Sequence, residues 1–269
     1  MRLRVRHQTT YRYERPVPYS IQTLRVSPRS YEGLAVLRWS VRGEAKRELP
    51  SLIDGFGNLI HCHTITEPHT EMTLLVEGEV DTTDTVGVIR GAAETLPPAY
   101  YLRRTELTAP HPLIAALAAD VMRESNTLAR LHRLMGAVRD DMEYQLGITE
   151  VHTPAGEALQ HGAGVCQDHA HVFIAAARTM AIPARYIGGY LWTGEEERDH
   201  DASHAWAEAY VEDLGWVGFD PANRICPTAS YIRASVGLDY WSAAPVRGIR
   251  RGGSAETLAV KVTVGSGEQ

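Results

Sequence analysis

Cysteine is scarce in this chain. Cys62, Cys166 and Cys226 are the only three among 269 residues, widely spaced and odd in number. That excludes a disulfide framework, and without a CxxC pair it argues against a cysteine zinc site; at least one thiol is left free. Long apolar runs are also missing. The most hydrophobic stretch, Leu113 to Met122, is short and already contains Asp120, so it is no candidate membrane span. The N-terminal MRLRVRHQTTYRYERP carries positive charge but no apolar segment or small-residue cleavage site, which leads to the expectation of a cytoplasmic protein acting away from membranes. Internal repeats and low-complexity segments are lacking too.

What is present is ordinary in amount and uneven in placement. Hydrophobic residues make up 44% and charged residues 22%, as in soluble globular proteins. Residues 1–50 hold eleven Lys and Arg against four Asp and Glu, whereas the rest holds sixteen against twenty-nine. A basic segment can signal nucleic-acid binding. Here Arg2, Arg4 and Arg6 alternate with Leu3 and Val5, the pattern of a solvated strand face, so no nucleic-acid partner is expected.

Period-two alternation in RLRVRHQTTYRY, LRVSP, LAVLRWSVRG and TLLVEGEVDT, punctuated by the turn Asp54-Gly55-Phe56-Gly57-Asn58, makes residues 1–95 β-rich, a small sandwich or open barrel. Residues 92–110, with Pro97, Pro98 and Pro110, read as a linker. Helical spacing follows in Leu113, Ala116, Leu117, Val121 and again in Leu128, Leu131, Met135, Val138, Met142. Thr153-Pro154 suits the N-cap and first turn of a short helix towards Gln160. Gly162 and Gly164 break the chain before Cys166, after which QDHAHVFIAAARTMAI reads as a buried helix ending before Pro183. Short strands ARYIGGYLW, SHAWAEAYVE and GWVGFD come next, the last two forming a hairpin. The β pattern returns in TLAVKVTV.

Cys166 falls where a glycine-containing loop meets an apolar helix. Unpaired N–H groups and the positive end of a helix dipole there favour thiolate, the form that acts as nucleophile, and neighbouring amides can hold an oxyanion. His204 lies on the first strand of the hairpin. A turn near residues 212–214 sets Asp220 roughly opposite it, where a carboxylate can accept the second ring N–H.

GVCQDHAHVFIAAARTMAIPARYIGGYL (164–191) and DASHAWAEAYVEDLGWVGFDPAN (201–223), with the order Cys, His, Asp, resemble the core of bacterial transglutaminase-like proteins. TTYRYERPV (9–17) and DGFGN (54–58) look like the β-domain that accompanies it, and VGLDYWSAAPVRG (236–248) is similar to the C-terminal extension. The resemblance implies an α+β architecture: a β-rich N-terminal domain over 1–95, a papain-like core over 100–235, and an extension over 236–269 with a strand returning to the first domain. It implies Cys166 as nucleophile, His204 as base and Asp220 as orienter, on a protein or peptide substrate and with no cofactor. Gln160, six residues before Cys166 as in papain-like sites, and Tyr144 in DMEYQ are candidates for a side-chain oxyanion donor. Gln167 and Asp168 are expected to support the helix start.

The expected chemistry is a thioester acyl-enzyme resolved by water, as in a cysteine protease or amidase, or by an amine, as in an acyltransferase that cross-links proteins at glutamine. Tyr190, Trp192, Trp206 and Trp216 are candidates for the walls that would shield a thioester from water. Two other classes compete. His61-Cys62-His63, and separately His200, Asp201 and His204, invite a metal hydrolase, but nothing resembles HExxH and the first set lacks a third ligand. A non-catalytic binding module would be favoured by loss of one of the three residues, and none is lost.

Overall fold

The computed structural model describes residues 1–44, 47–194, 203–253 and 255–267. Two four-stranded antiparallel sheets build the N-terminal part. The first contains β1 (Arg2–Val17), β3 (Leu34–Arg42), β6 (His69–Thr82) and β15 (Glu256–Ser266) in the order β15-β1-β6-β3. The second contains β2 (Tyr19–Ser27), β4 (Ser51–Ile53), β5 (Leu59–Ile65) and β14 (Val246–Arg251) in the order β14-β2-β5-β4. Alternation explains their packing, because successive side chains point to opposite faces. Leu24, Val26, Val41, Met72, Leu74 and Val76 turn inward between the sheets, while Arg2 and Arg6 stay outside and pair with Asp81 and Glu77. Both sheets are completed from the far end of the chain: β15 lies beside β1, with Val5 opposite Val264, and β14 beside β2, with Val246 opposite Leu24.

The remaining sheet has the order β13-β10-β11-β12-β7, from β7 (Val88–Ile89), β10 (Ala184–Leu191), β11 (Ser203–Val211), β12 (Gly215–Phe219) and β13 (Tyr231–Gly237). Helices α1 (Pro112–Val121), α2 (Thr127–Asp141), α3 (Ala155–His161) and α4 (Cys166–Thr179) pack with it around one apolar core. Almost every residue of α4 is buried, so the helix shows no polar stripe. Ala175, Ala176 and Ala177 keep it slim enough to be enclosed. The short α5 (Tyr240–Ala243) and the two-stranded pairing of β8 (Glu143–Tyr144) with β9 (Ala163–Gly164) complete the chain. Leu3, Val5, Val80, Val262 and Val264 of the first sheet share a core with Tyr190, Ile232 and Ala234 of the third. The β-rich part and the helical part therefore form one continuous body. Among the described residues, no helix is long and apolar enough to cross a membrane.

Two local expectations need correction. Residues 92–110 are not a loose linker: Pro98–Leu102 form a 3-10 helix, and Tyr101 and Leu107 are buried. Thr153 does not cap α3. Pro154 is the N-cap, and the Thr153 hydroxyl accepts from the Glu150 N–H instead.

Buried Arg178 holds the 92–110 segment in place. Its Nε donates to the Tyr101 carbonyl at 2.9 Å, its Nη1 to Thr108 Oγ1 at 2.8 Å, and its Nη2 to the Ala184 and Leu238 carbonyls at 2.9 and 2.7 Å. Burial lowers its pKa to about 10 against the pull of Asp239. Removing such a hub orphans several buried acceptors at once, so Arg178→Ala is expected to cost about 3 kcal/mol in urea unfolding. A loss too small to measure would show that these bonds do not anchor the segment.

Candidate active site

The loop before α4 is built so that its first residue can be a cysteine. Gly164 leads into Val165, the N-cap, which has no side-chain acceptor for the first helical N–H groups. Asp168 supplies the reverse half of a capping arrangement: its Oδ2 accepts from the Val165 N–H at 2.8 Å and from the Thr149 hydroxyl at 2.6 Å. The close approach requires glycine, since a Cβ on Gly164 would lie 2.6 Å from that oxygen. Gln167, also buried, donates from Nε2 to the Val151 carbonyl at 3.1 Å. Both side chains thus fasten the segment ahead of α4 and leave Cys166 at its positive end, half-buried.

β11 and β12 form the hairpin through residues 212–214. Val211 pairs with Gly215, and Asp213 takes the left-handed conformation that the tight connection needs, at φ 70°. Asp220 follows β12 and is wholly buried. His204 Nε2 lies 2.6 Å from Asp220 Oδ2, which leaves Nδ1 for the Cys166 side. The same Asp220 oxygen accepts from the Tyr231 hydroxyl at 2.7 Å and from Asn223 Nδ2 at 2.7 Å, and Oδ1 accepts from the Asn223 N–H at 3.3 Å. Trp206 lies against the ring at a centroid distance of 6.2 Å and 24° between planes, and Tyr231 approaches it edge-on at 5.9 Å.

These contacts decide the charges. Burial alone would drive the proton off His204. The neighbouring Cys166 sulfur and the Asp220 carboxylate outweigh it and raise the ring to about 10. Burial likewise disfavours the Asp220 anion, yet the donors from His204, Tyr231 and Asn223 hold its pKa below the usual value of 3.8. In stability terms, the imidazolium contribution is complete below the ordinary histidine value and is lost as pH rises through about 10. The Asp220 contribution is present above 3.8 and is lost as pH falls below it.

Cys166 and His204 open onto a cavity of about 200 Å³ between the third sheet and the N-terminal strands, walled also by Tyr186, Gly189, Tyr190, Ser235, Tyr240 and Arg25. Gly189 is the β10 residue paired with His204, so no side chain fills the space beside the ring. Gln160 is exposed on α3, and Tyr144 is exposed on β8 with its ring 6.2 Å from that of His169. Neither lines the cavity. Of the four aromatic residues singled out as walls, Tyr190 lines the cavity and Trp206 backs His204. Trp192 packs with the N-terminal core, and Trp216 packs under the Arg185 guanidinium 3.8 Å from its ring centre.

His61 and His63 are engaged apart, with Ser27 at 2.8 Å and Glu44 at 3.0 Å, and His200 and Asp201 lie outside the described residues. Among the described residues no three His, Cys, Asp or Glu converge as metal ligands. Asn223 and Tyr231 are the site residues that sequence reasoning missed. Asn223 had a signal, an amide three residues beyond Asp220 in DPAN; Tyr231 had none.

The fold and this arrangement define a thiol-bearing α+β protein of papain-like type, and comparison with known proteins narrows the class. Residues 115–221 match the model of the transglutaminase-like superfamily, and residues 3–81 that of the bacterial transglutaminase-like N-terminal region. The uncharacterized protein ML0607 of Mycobacterium leprae is 31% identical, with 98% of each chain covered. Rv2569c of Mycobacterium tuberculosis, also uncharacterized, is 30% identical over 92% of this chain and 87% of its own. A crystal structure of a Cytophaga hutchinsonii protein, provisionally assigned as a cysteine protease, superposes with a TM-score of 0.80 at 20% identity, covering 100% of this chain and 91% of that one. The chain belongs to the bacterial transglutaminase-like proteins.

Brief iodoacetamide treatment at neutral pH, followed by peptide mapping, is expected to mark Cys166 before Cys62 and Cys226. Cys226 is disfavoured because burial pushes its pKa up, whereas Cys166 has a cationic ring beside it. His204→Ala is expected to slow that labelling at neutral pH. Equal labelling of the three thiols, or first labelling of Cys226, would contradict the site.

Proposed function

We propose that this protein is a cysteine-dependent hydrolase of amide or peptide bonds, working through a thioester on Cys166. The observation that carries this reading is the position of His204, hydrogen-bonded to buried Asp220 at 2.6 Å and paired with the Cys166 sulfur at the start of α4. The thiolate attacks the substrate carbonyl carbon, and its π electrons move to oxygen. In this scheme the N–H groups of Cys166 and Gln167, the first two of α4, stabilise the developing charge. Collapse of the intermediate expels the amine, which takes the proton from the His204 imidazolium and leaves a neutral ring and a thioester. That ring then removes a proton from water as it attacks the thioester, and release of the acid restores the thiolate and the imidazolium. Asp220 keeps Nε2 protonated throughout, so Nδ1 exchanges the proton. The scheme needs no cofactor or metal.

Water is favoured over an amine as acceptor because two of the four candidate wall aromatics, Trp192 and Trp216, are committed to packing elsewhere. A peptide library supplied with and without a labelled primary amine tests the choice. Cleaved peptide or free acid is expected; preferential incorporation of the amine at glutamine would make the protein a transamidase instead.

Cys166→Ala and His204→Ala are each expected to lower kcat by about ten-thousandfold or more with unchanged circular dichroism. Asp220→Asn is expected to retain measurable turnover, since an amide oxygen can still accept from the ring. Activity should survive EDTA. A fully active His204→Ala protein would overturn the mechanism.

A further inference from the structure

The wall of the cavity opposite the helices comes from the N-terminal strands, through His7, Arg25 and Val26. His7 is not a charged group there: burial lowers it to about 4, and its ring nitrogens are engaged with Tyr190 Oη at 3.2 Å and Thr9 Oγ1 at 3.0 Å. Arg25 is different. Its Nε donates to Asp54 Oδ2 at 3.1 Å, but its Nη1 is buried and has no hydrogen-bond partner among the described residues. Asp54 answers only part of its charge, because that carboxylate also accepts from the Phe56 N–H, the Asn58 N–H and Asn58 Nδ2 at 2.9, 3.0 and 3.1 Å. Among the described residues lining the cavity there is no Asp or Glu.

Arg25 is also firmly placed. Its backbone N–H donates to the Pro245 carbonyl at 2.8 Å, where β14 begins to pair with β2, and its side chain is 16% exposed. A buried guanidinium donor without an acceptor is uncommon in folded proteins and is costly to maintain. A planar guanidinium at the wall of a cavity lined by no Asp or Glu among the described residues matches the two oxygens of a carboxylate.

We propose that Arg25 is a specificity-determining residue that receives a carboxylate of the substrate, so that the preferred substrates are amides or peptides with a free carboxylate near the scissile bond. This rests on the reading of Cys166 as the nucleophile of the same cavity. The N-terminal strands then have a direct part in substrate choice, in addition to packing. An uncharged substrate leaves the Arg25 donor unanswered, and a substrate with an ammonium group at that place meets like charge.

The test uses iodoacetamides bearing an alkyl chain of varied length that ends in a carboxylate, its methyl ester or an ammonium group. Their rates of alkylating Cys166 in the full-length protein are followed by peptide mass spectrometry. At the chain length that spans the cavity, the carboxylate is expected to react about tenfold faster than the ester, with the ammonium slowest. Arg25→Gln is expected to bring the carboxylate and ester rates together, and Arg25→Lys to keep part of the difference. The wild-type series decides alone if neither variant folds. Equal rates for all three end groups at every length, with Cys166 still labelled by iodoacetamide, would overturn the role of Arg25 and leave the thiol reading standing. Failure of iodoacetamide itself to label Cys166 would overturn both.

Discussion

A carboxylate with no exposed surface stays ionised only if donors surround it, and Asp220 is in that position. His204, Tyr231 and Asn223 all donate to it. The bond from His204 has the widest consequences, because it fixes which ring nitrogen faces the sulfur and supplies part of the negative charge that keeps the ring protonated. The three donors come from β11, β13 and the turn after Asp220, so the site is assembled only when the third sheet is complete. Gly189 allows that assembly: a Cβ there would lie 2.1 Å from the Ile232 carbonyl and 2.8 Å from the Trp206 ring. A side chain at this position would separate β13 from β10 and draw Tyr231 away from Asp220.

The rest of the architecture serves two ends of the same pair. α4 presents Cys166 from a helix that is rigid because it is enclosed on all sides, with Asp168 and Gln167 fastening the loop before it. The N-terminal sheets close the cavity from the opposite side and are themselves completed by β14 and β15. Sequence-distant segments thus share one apolar core around Tyr190, Ile232 and Ala234. Damage to the N-terminal strands is expected to reach the cavity even though Cys166, His204 and Asp220 all lie elsewhere.

Local features of the site were readable from the chain. A helix start after Gly164, a hairpin turning at 212–214, His204 on its first arm and Asp220 at the end of its second follow from spacing alone, since period-two and helical patterns fix which residues share a face. Features that depend on how separate elements meet were not. Gln160 has the expected separation from Cys166, but α3 ends in the left-handed Gly162 and leaves that side chain in solvent. Pro97, Pro98 and Pro110 read as a linker, whereas Tyr101 packs with Trp206, Trp216 and Tyr231 of the third sheet and Leu107 is buried, its carbonyl accepting from the Ala155 N–H of α3. Tyr231 and Arg25 reach the site from strands whose neighbours are set by sheet order, and no periodicity in the sequence encodes that order.

The central claim is that His204 is a cation held between the Cys166 sulfur and the Asp220 carboxylate. Nitrogen-15 NMR titration of the His204 ring measures it directly. The account predicts a ring protonated at both nitrogens from neutral pH until about 10, and deprotonation at clearly lower pH in Cys166→Ala. A His204 ring that is already neutral at neutral pH in the wild-type protein, or one that titrates identically with and without the thiol, would contradict it.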